Sequence, residues 1–171
     1  MREFNFMIYL GADHGGFELK EKIKQWLTKW GYQIEDLGAK EHIPGDDYPQ
    51  YAFSVAEKVS QNDDDTLPWQ KRVKGILACR SAGGMVIAAN KLKNIRAVAI
   101  ADTEEASLAR EKNDANIIVL AGDYISEDQA QEIIRKWLDT EFSNEPRHVR
   151  RLNQIREREN KHECECGGGC V

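Results

Sequence analysis

The chain has 171 residues, of which 41% are hydrophobic and 31% are charged, a size and balance typical of one globular domain with a buried core. Its formal net charge of −5 excludes a general nucleic-acid binder, which needs a basic surface to attract polyphosphate. Its apolar runs are far too short to cross a bilayer and its N-terminus lacks the apolar stretch of a signal peptide, so we expect a cytoplasmic protein without a membrane segment.

Short apolar runs alternate with helical patterns along the chain. The runs predict five strands, at 6–11, 32–37, 75–79, 96–101 and 117–121. The stretch from 60 to 74 is polar and contains three consecutive aspartates and a proline, so we predict a long surface loop there.

Helices are predicted between these strands from apolar residues that recur at steps of three and four. Asp47 is a predicted cap before a proline in the first helical turn, and Thr103 is a predicted cap for the helix after the fourth strand. Ser126 with Gln129 forms a capping box. A shorter helix is predicted from about Gly84 to Leu92.

Five alternations of strand and helix predict an α/β fold. We expect a single Rossmann-like three-layer domain with a five-stranded parallel sheet, right-handed crossovers and an extended C-terminal helix. Ligands of such sheets bind at the carboxyl ends of the strands. The residues that directly follow each strand are therefore the first candidates for a site.

Asp13, His14 and a glycine pair follow the first strand. Adjacent glycines let the backbone approach a ligand closely at a helix start, and the two polar side chains stand at the same place. A capped turn with a solvated histidine explains the same segment without any function.

Cys79 ends the third strand and is followed by Arg80, Ser81, Ala82 and a second glycine pair. A cysteine at a strand end that faces a helix N-terminus has a setting that lowers the pKa of a thiol. Free backbone N–H groups in such a loop can also hold an oxyanion. Alternatively, Cys79 simply ends a buried strand, as free cysteines often do.

Two later segments carry polar or basic residues. Lys112 and Asn113 end the helix that precedes the fifth strand, and Arg147, Arg150 and Arg151 lie close together near the C-terminus. Arginines within about one helical turn can grip a phosphate bidentately. A basic solvated helix face is the alternative interpretation.

Taken together and in order, these segments resemble the family that contains ribose-5-phosphate isomerase B and the two galactose-6-phosphate isomerase subunits. The resemblance places an isomerase domain at 1–155. The matching segments are Gly11 to Lys20, Asp47-Tyr48-Pro49 with Tyr51-Ala52, Cys79 to Lys91, Leu108 to Arg110, Asn113 to Asn116, and Arg147-His148 with Arg151.

The resemblance implies an aldose–ketose isomerase of a phosphorylated sugar, with ribose 5-phosphate and ribulose 5-phosphate as the expected pair. It implies a cis-enediolate intermediate and neither a metal nor an organic cofactor. The residues implied in catalysis are Cys79 as the base, Ser81, Asp13 and Lys112. The residues implied in binding the sugar or its phosphate are His14, Tyr48, Gly83, Gly84, Asn113, Arg147 and Arg151. The amides of residues 81–84 are implied to stabilise the enediolate.

Relatives in this family are implied to form homodimers, or tetramers, whose sites combine both chains, so Asn113 is expected to act across the interface. Some relatives use a glutamate base a few residues beyond the cysteine position. Met85 stands there in this chain, which therefore resembles the cysteine type.

The chain departs from the family pattern at three positions. Arg80 and Ala82 replace two glycines of the usual cysteine loop, and Lys112 stands where many relatives carry a histidine that opens the sugar ring. Lysine is the poorer proton shuttle near neutral pH. These departures leave open a six-carbon sugar phosphate as substrate, and also a protein that binds a sugar phosphate without turning it over.

Residues 156–171 are predicted to be a separate, charged and cysteine-rich tail. His162, Cys164, Cys166 and Cys170 have the donor types for a soft metal such as zinc, although their spacing matches no established zinc motif. A tail without bound metal is the alternative.

Overall fold

The computed structural model describes residues 6–166, with side chains up to residue 161. Five strands form one sheet: β1 Met7–Ala12, β2 Gln33–Asp36, β3 Lys74–Cys79, β4 Ala97–Ile100 and β5 Ile117–Ala121. Six α-helices accompany it: α1 Phe17–Lys29, α2 Tyr48–Asn62, α3 Gly83–Ala89, α4 Thr103–Asn113, α5 Glu127–Asp139 and α6 Pro146–Cys166. A 3-10 turn spans Trp69–Lys71.

All neighbouring strands pair in parallel, in the order β2-β1-β3-β5-β4. Side chains of α1, α4 and α5 pack on one face of the sheet, and those of α2 and α3 pack on the other. The prediction of a three-layer α/β domain with a five-stranded parallel sheet and a long C-terminal helix is confirmed.

The two central strands β3 and β5 are buried on both faces, which explains their uninterrupted apolar sequences. Because side chains alternate along a strand, Ile76 and Ala78 face the α1/α4/α5 layer, whereas Leu77 and Cys79 face the α2/α3 layer. Burying a side chain such as Leu77 contributes about 2 kcal/mol to stability. The same alternation directs the Cys79 thiol toward α3.

Two predicted helix boundaries are wrong. The N-cap of α4 is Asp102 rather than Thr103, and its carboxylate accepts a hydrogen bond from the Glu105 amide at 2.8 Å. The helix predicted to reach Leu92 ends at Ala89, because the Asn90 side chain bonds both the N–H and the C=O of Ala97 and so leaves the helical path. The capping box of Ser126 and Gln129 is confirmed.

The surface loop predicted at 60–74 is wrong in its extent, because residues 64–68 are exposed but both ends of the stretch belong to other structure. α2 continues to Asn62, and three later residues of the stretch are buried, with Trp69 exposed by 2%, Arg72 by 4% and Lys74 by 1%. The Trp69 ring packs edge-on against Trp137 at 5.1 Å, and its Nε1–H donates to the Leu138 carbonyl at 3.1 Å. The side chains of Trp69, Arg72 and Lys74 therefore contribute to the core.

Cationic side chains cover the Trp69 ring. The Arg110 guanidinium lies 3.4 Å from the ring centre and the Lys74 ammonium 3.9 Å from it. Lys74 also lies 3.8 Å from the centre of the Phe6 ring and donates to the carbonyls of Trp69 and Arg72, at 2.5 and 2.7 Å. A polar sequence thus packs against aromatic rings, through a cation–π contact from Arg110 and through the amine and methylene groups of Lys74.

Buried ion pairs hold the same region. Arg72 pairs with Asp63 at 2.6 Å and with Asp114 at 3.1 Å, and Asp114 also lies 2.8 Å from both Arg96 and Arg110. Burial would raise the pKa of Asp114, but the three arginines outweigh burial and hold that pKa below its usual value.

α6 crosses the predicted boundary at residue 155 without interruption, so the proposed tail begins inside a helix. The side chains of His162, Cys164 and Cys166 lie outside the described residues, and so does Cys170 as a whole. The hypothesis of a metal site in the tail therefore stays a prediction. Among the helices that the structure describes, none combines the length and the apolar character of a bilayer span.

Replacing Lys74 by methionine tests whether burial lowers the pKa of this lysine. Burial and the neighbouring Arg110 and Arg72 lower the pKa of Lys74 to about 6. Between this value and the pKa of about 10.4 of an unfolded lysine, the unfolded chain binds the additional proton, so stability rises with pH. We expect the free energy of unfolding of the wild type, relative to that of Lys74→Met, to increase by up to about 1.4 kcal/mol per pH unit across this window.

The measurement is urea unfolding of both proteins at several values between pH 6 and 10. The difference cancels the titration of groups that the two proteins share. Lys71→Met, which changes an exposed lysine of the same segment, is the matched control and should give a flat difference. A flat difference for Lys74→Met as well would contradict the lowered pKa of Lys74 in the folded protein.

Candidate functional site

The strand order places a crevice between the segments that follow β1 and β3. From β1 the chain turns through α1 to β2 on one side, while β3 pairs with the other side of β1. Where the connections that follow two neighbouring parallel strands run to opposite sides, a gap opens at the carboxyl ends of these strands. Proteins of the α/β class bind ligands in such a gap. Gly16 closes the bottom of this gap, because a Cβ there would lie 2.0 Å from the Ala78 carbonyl oxygen.

Asp13 lies at the mouth of the crevice and is nearly buried, with 7% of its surface exposed. One carboxylate oxygen accepts a hydrogen bond from the Gly16 amide at 3.0 Å, which fixes its direction. Burial raises the pKa of Asp13, partly offset by the Gly16 amide and by His14. The carboxyl is thus positioned to bind hydroxyl groups of a ligand.

His14 is held by Asp46, a residue that the sequence interpretation missed. One Asp46 carboxylate oxygen lies 2.6 Å from His14 Nδ1 and accepts the His14 backbone N–H at 2.9 Å. Burial would raise the pKa of Asp46, but hydrogen bonds from His14 and Tyr51 outweigh burial and lower it. Two consecutive aspartates precede Tyr48, and the sequence analysis interpreted only Asp47, as a helix cap.

Asp13, His14 and Asp46 each offer one ligand atom, and these atoms lie within 4.8 Å of one another. This spacing is compatible with a cation. However, the His14 nitrogen and the Asp46 oxygen are already at hydrogen-bond distance from each other. We therefore interpret the three residues as a polar network that faces a ligand.

Cys79 faces the crevice with 6% of its surface exposed. Its sulfur accepts a hydrogen bond from the Ala82 amide at 2.9 Å. The prediction that the setting lowers the thiol pKa is wrong. Burial raises the pKa of Cys79, the carboxylates of Asp13 and Asp123 raise it further, and the amides of Ser81 and Ala82 offset only part of this.

The loop between Cys79 and α3 is a strained γ-turn centred on Ala82. The Gly83 amide donates to the Ser81 carbonyl at 2.7 Å, and Ala82 has φ 62° and ψ −38°, a conformation that L side chains rarely adopt. Of the two positions where relatives carry glycine, 80 and 82, the backbone has a positive φ at Ala82. Arg80 is absent from the residues with positive φ in the described chain.

The γ-turn also decides which of the amides of residues 81–84 remain available to bind an enediolate oxygen. The amides of Ser81 and Ala82 face the sulfur, and that of Gly83 closes the turn. In the described part of the chain the Gly84 amide has no hydrogen-bond acceptor. Tyr48 lies directly over Gly84, since a Cβ there would be 2.6 Å from its ring, and Tyr48 is 39% exposed.

The remaining predicted residues lie at the amino ends of the strands, called the amino edge below. The residues described so far lie at the carboxyl ends, called the carboxyl edge. Lys112 and Asn113 end α4, which returns from the carboxyl edge to the amino end of β5, and both are exposed. α6 begins beside this point. The Ser143 amide, three residues before α6, donates to the Glu111 carbonyl of α4, and the Ser143 hydroxyl bonds the ring of His148 in the first turn of α6. Its exposed Arg147 and Arg151 therefore lie near the same edge.

The structure thus brings together one part of the predicted site within a single chain. The residues at the carboxyl edge are Asp13, His14, Tyr48, Cys79, Ser81, Gly83 and Gly84. The length of the strands separates them from Lys112, Asn113 and the two arginines of α6 by roughly 15–20 Å. The carboxyl edge offers a thiol, a hydroxyl, a carboxylate, an imidazole and a free amide, which is a set suited to proton transfer on a polyhydroxy compound.

Comparison with known proteins agrees with this geometry. The sequence profile of the ribose/galactose isomerase family matches residues 8–155. Ribose-5-phosphate isomerase B of Mycolicibacterium paratuberculosis is 36% identical over 164 residues, which cover 96% of this chain and 98% of that protein.

Solved structures show the same similarity. Ribose-5-phosphate isomerase B of Clostridium thermocellum superposes with a TM-score of 0.82 at 37% identity, covering 91% of this chain and 99% of the other. The enzyme of Mycoplasma genitalium with bound ribulose-5-phosphate gives a TM-score of 0.83 at 31% identity, with 92% and 98% covered.

Replacing Ala82 by glycine tests the strain in the γ-turn. Glycine adopts positive φ without steric cost, so the free energy of unfolding should stay equal or rise by about 1 kcal/mol, despite the lost methyl group. Ala89→Gly is the matched control, because Ala89 is equally buried but helical, and it should lose about 1 kcal/mol or more. Urea unfolding measures both. Similar losses in the two variants would show that Ala82 is not strained.

Proposed function

The chain belongs to the ribose/galactose isomerase family, and on that premise we propose that it interconverts ribose 5-phosphate and ribulose 5-phosphate. The observation that carries the proposal is the position of Cys79 at the crevice between β1 and β3, with its sulfur held by an amide and Asp13 across the gap. The named relatives support the substrate pair, since they are called ribose-5-phosphate isomerase B.

The proposed reaction moves one proton between neighbouring carbons. The Cys79 thiolate takes the proton from C2 of the open-chain aldose, and the electrons of that C–H bond form the C1–C2 double bond of a cis-enediolate. The same thiol then returns a proton to C1. C2 is oxidised and C1 is reduced within one molecule, so the reaction needs no external oxidant, reductant or cofactor.

Ser81 and the Gly84 amide assist at the oxygens. The Ser81 hydroxyl, exposed at the loop that carries Cys79, passes a proton between O1 and O2 while the enediolate exists. The Gly84 amide donates to the developing oxyanion. Asp13 holds sugar hydroxyls, and the Tyr48 ring covers Gly84 and closes the pocket on that side.

A raised thiol pKa means that only a minor fraction of Cys79 is thiolate at neutral pH. A base of higher pKa is, however, a stronger acceptor for a carbon-bound proton once it is ionised. The rate of isomerisation should therefore increase with pH through the neutral range.

A second copy of the chain completes the site. His14 reaches the phosphate from the carboxyl edge of one chain, whereas Asn113, Arg147 and Arg151 lie at the amino edge and can reach a substrate only in a partner's crevice. We therefore propose a homodimer as the active unit, with a tetramer as a further assembly. The predicted cytoplasmic location stays a prediction.

Two alternatives follow from Lys112 and the strained loop. Lys112 is exposed at the end of α4 and stands where many relatives carry a histidine, the side chain better suited to ring opening. The substrate could then be a six-carbon sugar phosphate, or the protein could bind a sugar phosphate without turnover. The following experiment separates these possibilities.

Exchange of carbon-bound protons in deuterated water tests the function. We expect ribose 5-phosphate and ribulose 5-phosphate to exchange at C1 and C2 and to interconvert, as followed by NMR. Cys79→Ala should lower this rate by about 100- to 10,000-fold without changing the circular dichroism spectrum. Exchange only with allose 6-phosphate or galactose 6-phosphate would reassign the substrate, and ligand-induced shifts without exchange would indicate a binding protein.

Mixing two inactive variants tests the shared site. Cys79→Ala removes a carboxyl-edge residue and Asn113→Ala an amino-edge residue, so a mixed dimer keeps one complete site. Random exchange of chains should restore about a quarter of the wild-type activity, because half of the dimers are mixed and each has one intact site. Cys79→Ala mixed with Asp13→Ala is the control, since both changes lie at the same edge and should restore nothing. No recovery in the first mixture would contradict the shared site.

A further inference from the structure

We propose that Arg80 and Asp123 form a positioning pair for Cys79, which fastens the loop after β3 to the loop after β5 and offsets the Asp123 charge beside the thiol. The proposal rests on the proposed function only in that Cys79 is taken as the base. Neither residue needs to touch the substrate for the pair to act.

Three contacts fasten the two loops. The Gly122 amide donates to the Cys79 carbonyl at 2.8 Å, and the Asp123 amide donates to the Arg80 carbonyl at 3.2 Å. The Arg80 side chain adds a charge-assisted hydrogen bond from Nε to Asp123 Oδ2 at 2.9 Å. These contacts extend the parallel pairing of β3 with β5 beyond the last strand pair, Cys79 opposite Ala121.

The stem of Arg80 reaches a third loop. A Cβ on Gly15 would lie 2.2 Å from Arg80 Cγ and 3.0 Å from its Cδ, so the methylene groups of Arg80 lie directly on the Gly15 backbone. One side chain therefore spans the loops that follow β1, β3 and β5. Asp13 lies two residues before Gly15 and Cys79 directly precedes Arg80, so this side chain braces the loops that adjoin both residues.

The charges around the thiol come from several elements. The loop after β1 contributes Asp13, and the loop after β5 contributes Asp123, and both carboxylates act against ionisation of Cys79. Two tyrosines of α2, Tyr48 and Tyr51, pack on the same side of the sheet. α3 contributes no titratable side chain, and the His14 ring is bound to Asp46 instead.

Arg80 is a cation that pairs with one of these two carboxylates, that of Asp123. Its pairing with Asp123 raises the pKa of Arg80, so the guanidinium stays charged at every relevant pH. The side chains of Arg80 and Asp123 are 67% and 45% exposed, so an isolated pair of this kind adds little to global stability. The Asp123 carboxylate nevertheless raises the pKa of the Cys79 thiol, so a change in this local charge should be detected at the sulfur.

The test is the pH dependence of Cys79 alkylation by iodoacetamide. The full chain is alkylated between pH 7 and 10, and the peptide that contains Cys79 is quantified by mass spectrometry, so that the cysteines near the C-terminus do not contribute. Arg80→Met should move the midpoint upward by about 0.5 to 1 unit, and Asp123→Asn should move it downward by a similar amount. Below the midpoint, a shift of 0.5 unit corresponds to an approximately threefold change in rate.

The double variant tests whether the two shifts of the alkylation midpoint cancel. Arg80→Met combined with Asp123→Asn removes both charges and should return the midpoint close to that of the wild type, while Arg80→Lys should retain most of the wild-type value. Lys22→Met removes the cation of another exposed pair, Lys22 with Glu127 on α1 and α5, and should leave the midpoint unchanged.

Midpoints that coincide within about 0.2 unit in all variants would overturn the proposal. A purely structural role would change alkylation equally at every pH. If the pair acts as proposed, isomerisation by Arg80→Met should lose kcat at neutral pH with little change in KM. Alkylation needs no substrate, so a protein without isomerase activity could still show the shifts, and an active isomerase could fail to show them.

Discussion

The parallel pairing of β1 with β3, which runs from Ile8 opposite Lys74 to Ala12 opposite Ala78, sets the geometry of the whole carboxyl edge. It brings Asp13 and Cys79 to neighbouring strand ends, although 66 positions separate them in the sequence. Gly16 permits this approach because no side chain stands between its backbone and that of Ala78. Any residue with a Cβ at position 16 would push α1 away from β3 and widen the crevice.

The amino edge is built by different forces. Asp114 adopts a left-handed conformation with φ 47° and connects the end of α4 to the start of β5. Its carboxylate draws together arginines from three separate segments, which fixes the residues just before it, Lys112 and Asn113. The carboxyl edge is thus shaped by the close backbone contact of Gly16 with Ala78, and the amino edge by the ion pairs of Asp114. The proposed sharing of the site between two chains would need both edges to be well defined.

Much of the fold could be predicted from the sequence, because apolar runs directly reflect burial on both faces of the sheet. Asp13, His14 and Cys79 could be found because they follow such runs. Thr103 was mistaken for a cap because Asp102 and Thr103 are both good capping residues, and only the hydrogen bond to Glu105 distinguishes them. Neither the partner of His14 nor the carboxylates that raise the pKa of Cys79 could be predicted, since both depend on contacts between distant segments.

The burial of Trp69 also gives the protein an optical property. Trp69 and Trp137 lie in contact at an interplanar angle of 75°, in an asymmetric environment of charged groups. Indole transition dipoles at this separation and angle couple with each other, so the pair should contribute to the circular dichroism two bands of opposite sign whose order is set by their mutual orientation. The amino edge therefore contains an intrinsic chromophore, formed by two rings whose contact depends on the folding of a segment that is polar in sequence.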